Sequence, residues 1–142
     1  MKQEQRLTPE LDVSDLQASL AFYVGVLGFC VRFERPEEAF AYLDRGGVSL
    51  MLEVATGPGR RFRTAPLDHP YGRGVNFQIE VDDVDALYER VVHSGLTPLI
   101  VLEERWYRQD DRESGNRQFV VADPDGYLLR FFSDLGERAQ RP

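Results

Sequence analysis

The sequence predicts an α+β fold: two tandem βαβββ modules that form a curved mixed sheet with a cleft, with the helices on its outer face. Three observations predict it. The chain repeats itself, with Val13-Ser14-Asp15-Leu16 and then Gly28-Phe29 in the first half, and Val81-Asp82-Asp83-Val84 and then Gly95-Leu96 in the second. The two copies are offset by 68 residues at Asp15 and Asp83, and self-similarity of this kind governs every later assignment. Each copy has helical spacing in its middle, and the segments around that helix alternate apolar and polar residues as half-buried strands do.

The first module covers 6–54. A strand over 7–13 leads into a helix, where Ser14 is the expected N-cap and Gln17 completes a capping box. Leu16, Leu20, Tyr23 and Leu27 make the buried stripe, and Gly28 ends the helix in a left-handed conformation. Strands follow at 29–34, 39–44 and 47–53. A linker over 55–73 carries three prolines and four arginines and reads as a surface crossing.

The second module covers 74–133. Its first strand is placed at 74–81. The helix begins near Asp82 or Asp83, where acids suit the helix dipole. Val84, Leu87, Tyr88 and Val91 form its stripe, and Gly95 stops it. Strands are expected near 97–104, 117–122 and 126–132, the last after the turn Asp123-Pro124-Asp125-Gly126. The segment 103–116 reads as a polar loop, and 134–142 as a tail.

Composition excludes several functions. With 142 residues and 16 aromatic side chains among a hydrophobic content of 42%, the chain can build one core or two small ones sharing it. A net charge of −7 argues against nucleic acid, whose phosphates would be repelled. No run of 18 apolar residues exists, so no membrane span is expected. The segment MKQEQRLTPE carries no apolar signal region, and a cytoplasmic protein is expected. The single cysteine, Cys30, cannot form a disulfide within the chain and is expected to be packed.

Alternation then separates the two faces of the sheet. Leu7, Leu11, Val13, Val48, Leu50, Leu52, Val75, Phe77, Ile79 and Val81 are expected to face the helices. Thr8, Glu10, Asp12, Glu53, Asn76, Gln78, Glu80 and Arg130 then share the other face, with Leu128 and Phe132. This face is either simply wet, as one side of an antiparallel sheet often is, or an acid-lined cleft with Arg130 pairing one or two of the acids. Neither histidine lies on it: His69 falls in the linker and His93 near the end of the second helix. No phosphate-binding or nucleophile motif accompanies a strand.

The segments DVSDLQASLAFYVGVLGF, VDDVDALYERV and VVADPDGYLLRFF, in that order, resemble the vicinal oxygen chelate superfamily, which includes glyoxalase I, extradiol dioxygenases and the bleomycin-resistance proteins. The resemblance spans roughly 6–133. In metal-dependent members it implies four ligand positions, which fall here on Thr8, Glu53, Asn76 and Arg130. A guanidinium in the fourth place argues against a metal there, with Glu53 as the expected ionic partner of Arg130.

Pro9 in the first strand and the run Gly115-Asn116-Arg117-Gln118-Phe119 resemble the metal-free bleomycin-resistance proteins more closely. This resemblance implies no cofactor and a homodimer with ligand grooves at its interface. It also implies that a small molecule is sequestered rather than modified. A cationic aromatic ligand would need stacking rings and nearby acids. Phe62, Trp106, Tyr107 and Phe132 are candidates for the rings, and Glu10, Asp12, Asp110 and Asp111 for the acids; Glu53, Asn76, Gln78, Glu80, Arg117 and Arg130 complete the expected ligand-binding set. The alternatives are a metal-dependent lyase or dioxygenase with an altered site, and a dimer with no small ligand.

Overall fold

A computed structural model describes residues 5–141, which divide into two units, one ending at Tyr71 and one beginning at Gly72. The residues of MKQEQRLTPE before Gln5 lie outside the described part.

In the first unit the elements run β1 (Glu10–Val13), α1 (Leu16–Leu20), β2 (Cys30–Arg35), β3 (Phe40–Arg45) and β4 (Val48–Val54). The sheet order is β1-β4-β3-β2, with β1 parallel to β4 and the other pairs antiparallel. The second unit repeats the plan with β5 (Asn76–Glu80), α2 (Val84–His93), β6 (Ile100–Gln109), β7 (Arg112–Ala122) and β8 (Leu128–Ala139). Its order is β5-β8-β7-β6, with β5 parallel to β8. Each unit is therefore a βαβββ module with a mixed four-stranded sheet, and the α+β class holds.

The cores follow the predicted faces. Leu11, Val13, Leu50 and Leu52 are buried in the first unit, with Phe22, Tyr23, Leu27 and Phe29 packed among them. Ile79, Val81, Val84, Leu87, Val91, Phe119, Leu129 and Phe131 are buried in the second. Gly28 and Gly95 take φ of +82° and +90°, the left-handed region that ends both helical segments. Asp83 caps α2, its carboxylate accepting from the Ala86 amide at 3.0 Å. The Ser133 hydroxyl joins α2 to β8, accepting from the Val84 amide at 3.1 Å and donating to the Val81 carbonyl at 3.0 Å.

Several expectations are corrected. The cap of α1 is Asp15, not Ser14: its carboxylate accepts from the Gln17 and Ala18 amides at 3.0 and 3.2 Å. A carboxylate competes well for these donors because it also opposes the helix dipole. The helix then widens into a π-type turn over Ala21–Val26. β1 starts at Glu10, so Leu7 lies outside it and is 83% exposed. Val75 likewise precedes β5 and is exposed. Cys30 is exposed rather than packed.

The largest difference lies at 103–116. This segment is the far half of a hairpin, with Glu103 opposite Gln118 and Gln109 opposite Arg112, and not a loop. β8 extends with it as far as Ala139, so most of the expected tail is strand. Among the described residues no helix is long and apolar enough to cross a membrane.

Candidate functional site

The register of each sheet builds its open face. In the first unit Glu10 pairs with Met51, Met51 with Tyr42 and Tyr42 with Phe33, one row across four strands. The next row is Asp12, Glu53, Phe40 and Arg35. Phe33 stacks on Tyr42 with centroids 4.9 Å apart and keeps 45% of its surface exposed. Arg32 covers the Tyr42 ring at 5.1 Å and Arg35 the Phe40 ring at 3.9 Å. This aromatic row was not singled out from the sequence. It was legible only as alternation in β2 and β3, which a bulge between Val31 and Phe33 interrupts.

The acids of this unit are held by the linker. Arg61 Nη1 lies 2.6 Å from Glu53 Oε1, and Arg61 Nε lies 3.4 Å from Asp12 Oδ1. Arg63 Nε donates to Asp12 Oδ2 at 3.1 Å. Arg61 and Arg63 also donate to the Val54 and Ala55 carbonyls. Glu53, expected to pair with Arg130, therefore finds an ionic partner within its own unit, Arg61. The linker arginines answer the acids, and Asp12 and Glu53 are already compensated. Phe62 is exposed beside a cavity of about 610 Å³ that Asp12, Arg61 and Arg63 also line. Glu10 is left with the surplus negative charge. Burial, then the Glu53 carboxylate through space and by hydrogen bond, raises its pKa above the ordinary 4.5, and Arg61 offsets part of the rise.

In the second unit a cavity of about 470 Å³ lies on the open face, lined by Gln78, Glu80, Tyr107, Arg108, Gln109, Ser114, Asn116, Arg130, Phe132 and Asp134. Of the predicted residues it gathers Gln78, Glu80, Tyr107, Arg130 and Phe132. Arg130 Nη2 donates to Gln78 Oε1, its cross-strand partner. Gln118 is buried on the same face, where its Nε2 donates to the Tyr107 hydroxyl at 2.7 Å and to Glu103 at 3.3 Å. Asn76 stands exposed at the start of β5 and is not among the lining residues.

Two predicted ligand residues lie on the other face. Trp106 is opposite Gly115, so close that a Cβ there would sit 2.7 Å from the indole, and Arg138 caps the ring at 4.0 Å. The bare glycine makes room for the indole, which braces the hairpin. Arg117 is drawn to α2: its Nη2 and Nε donate to the Asp85 carboxylate at 2.8 and 3.1 Å, which lowers the Asp85 pKa. The Trp106 misplacement follows from reading 103–116 as a loop, because a strand sends neighbouring side chains to opposite faces.

The register also revises the four ligand positions. β4 pairs with β1 as β8 pairs with β5: Met51 opposes Glu10 where Arg130 opposes Gln78. The repeat thus equates Met51, not Glu53, with Arg130, and Glu53 with Phe132. The positions become Thr8, Met51, Asn76 and Arg130. The Thr8 hydroxyl meets the Tyr42 hydroxyl at 3.4 Å, a contact that lowers the Tyr42 pKa. Hard divalent cations want carboxylates and imidazoles. This set has neither and includes a permanent cation, so it does not fit a metal. Among the described residues no three His, Cys, Asp or Glu side chains are grouped to hold one elsewhere.

Comparison with known proteins agrees with this architecture. Residues 8–131 match the family model of the glyoxalase/bleomycin resistance protein/dioxygenase superfamily. The bleomycin resistance protein of Geobacillus stearothermophilus is 32% identical over 136 residues, covering 89% of this chain and 95% of that one. A metallothiol transferase, FosB, of Lysinibacillus sphaericus is 29% identical, covering 84% of this chain and 74% of that one. Among solved structures, TioX from Micromonospora sp. ML1 superposes with a TM-score of 0.71 at 23% identity, covering 93% of this chain and all of that one, which supports the fold alone.

Proposed function

Because the chain belongs to the glyoxalase/bleomycin resistance protein/dioxygenase superfamily, we propose that it is a small-molecule-binding protein of the bleomycin-resistance type. It sequesters an aromatic, cationic ligand without a metal and without altering it. The observation that carries this reading is the replacement of the family's ligand positions by Thr8, Met51, Asn76 and Arg130. Chemistry at a Lewis acid has no foothold on that set, whereas binding by stacking and charge does. The rings available are Phe33 on its Tyr42 support in the first unit, and Tyr107 and Phe132 in the second. Glu80 and Asp134 provide acids beside the second cavity. By analogy with the bleomycin-resistance proteins, two copies form a homodimer with ligand grooves at its interface.

The test uses the purified full chain. Bleomycin is titrated by calorimetry, with thermal unfolding followed in parallel. A ligand that prefers the folded state raises the melting temperature by an amount that grows with the logarithm of one plus the ratio of free ligand to Kd. One bleomycin per chain with a raised melting temperature supports the proposal. A rise with zinc, nickel, manganese or iron(II), and none with bleomycin, overturns it in favour of a metal-dependent lyase or dioxygenase.

A further inference from the structure

Arg130 is a half-buried guanidinium with no carboxylate of its own unit within ion-pair distance among the described residues. Arg105, Arg112, Arg117 and Arg138 of the same unit each have a carboxylate within 4.0 Å. Among the described residues Arg130 has only the neutral Gln78 amide at Nη2, while its Nε is buried and has no acceptor. Glu80 and Asp134 line the same cavity, yet neither pairs with it. A guanidinium partly withdrawn from water, with its Nε–H buried and unanswered, is costly. In a cavity of about 470 Å³ the economical cure is an anion brought by the ligand.

The Nε and Nη2 hydrogens form one edge of the guanidinium fork, the edge that matches the two oxygens of a carboxylate. The Gln78 oxygen accepts from Nη2 as a neutral placeholder, and it ends a flexible side chain that a ligand can displace.

We infer that the second-unit cavity binds a ligand carrying a carboxylate, which displaces Gln78 and docks on the Nε–Nη2 edge of Arg130, while Glu80 and Asp134 face its cationic part. The ligand is therefore amphoteric, and Arg130 sets its specificity. This rests on the open face being a ligand site. It does not require that the ligand be bleomycin.

The experiment is nuclear magnetic resonance of the full chain with 15N-labelled arginine, using benzoate and benzylamine as probes. The Arg130 Nε–Hε signal is assigned by its loss in Arg130→Gln. Benzoate at millimolar concentration should move that signal in a saturable way, and benzylamine should not. Arg130→Gln should weaken benzoate binding by about tenfold or more. Gln78→Ala, which removes the placeholder and leaves the guanidinium, should tighten it. An Arg130 signal that benzoate leaves unmoved overturns the inference, as does equal benzoate binding by Arg130→Gln. Bleomycin binding without a benzoate response would sink this inference and leave the proposed function standing. Benzoate at Arg130 without bleomycin binding would do the reverse.

Discussion

Arg61 Nη1 lies 2.6 Å from Glu53 Oε1, under a glycine, Gly59, on which a Cβ would sit only 1.8 Å from that same oxygen. Glu53 is 4% exposed, so this pair is largely shielded from water. The linker is thus a strap fastened to β1 and β4 by charge, and its sequence of small and basic residues is what lets it lie that close.

Arg61→Ala leaves Glu53 buried without its counter-charge. The variant should lose roughly 3–5 kcal/mol of stability at neutral pH, measured by urea unfolding. A loss under about 1 kcal/mol would mean that Arg63 or solvent replaces the missing guanidinium.

Gly59→Ala pushes a methyl group into the Glu53 carboxylate and should lower stability by about 1–3 kcal/mol. Combined with Arg61→Ala, the losses should fall short of additive, because both variants break one ion pair. Full additivity in a double-mutant cycle would show that the glycine matters for the strap's backbone alone.

Glu10 gives the fold a pH dependence of defined sign. Its pKa is raised in the folded state, first by burial and then by Glu53. The folded protein therefore binds this proton more tightly than the unfolded chain, and ionised Glu10 weakens the fold above the raised value. The penalty fades as pH falls through that value toward the ordinary 4.5. Glu10→Gln should be more stable than the natural protein at neutral pH, with the difference vanishing below the ordinary value. A constant difference across unfolding curves from neutral to acid pH would assign the effect to packing instead.

Trp106→Ala should cost about 2 kcal/mol, less than a fully buried indole, by emptying the space over Gly115 and freeing Arg138. Amide exchange should quicken along 103–116 and in the last part of β8. Ligand affinity should change little, since the indole lies on the face away from the cavity. A large loss of affinity with exchange unchanged would place Trp106 in the ligand's path.

Local sequence was enough to read the two modules. Repeated helix starts, the Gly28 and Gly95 stops and the alternation in β1, β4 and β5 are all encoded within a few residues of where they act. The same alternation placed Gln78, Glu80, Arg130 and Phe132 on one face. The hairpin at 103–116 escaped this reading because its strands are polar on both sides. With no apolar face to bury, their pairing leaves no period in the sequence.

By itself, then, the sequence determined the α+β plan, the sidedness of most strands and the family. The partners across the sheet were decided by the tertiary structure alone. Arg61 answers Glu53, Met51 rather than Glu53 is the counterpart of Arg130, and Trp106 turns away from the cavity while Tyr107 lines it. Alternation tells which face a residue is on, but not how far each strand slides along its neighbour. Charge pairs depend on that slide and on where an irregular linker comes to rest, and both are set by packing between residues distant in sequence.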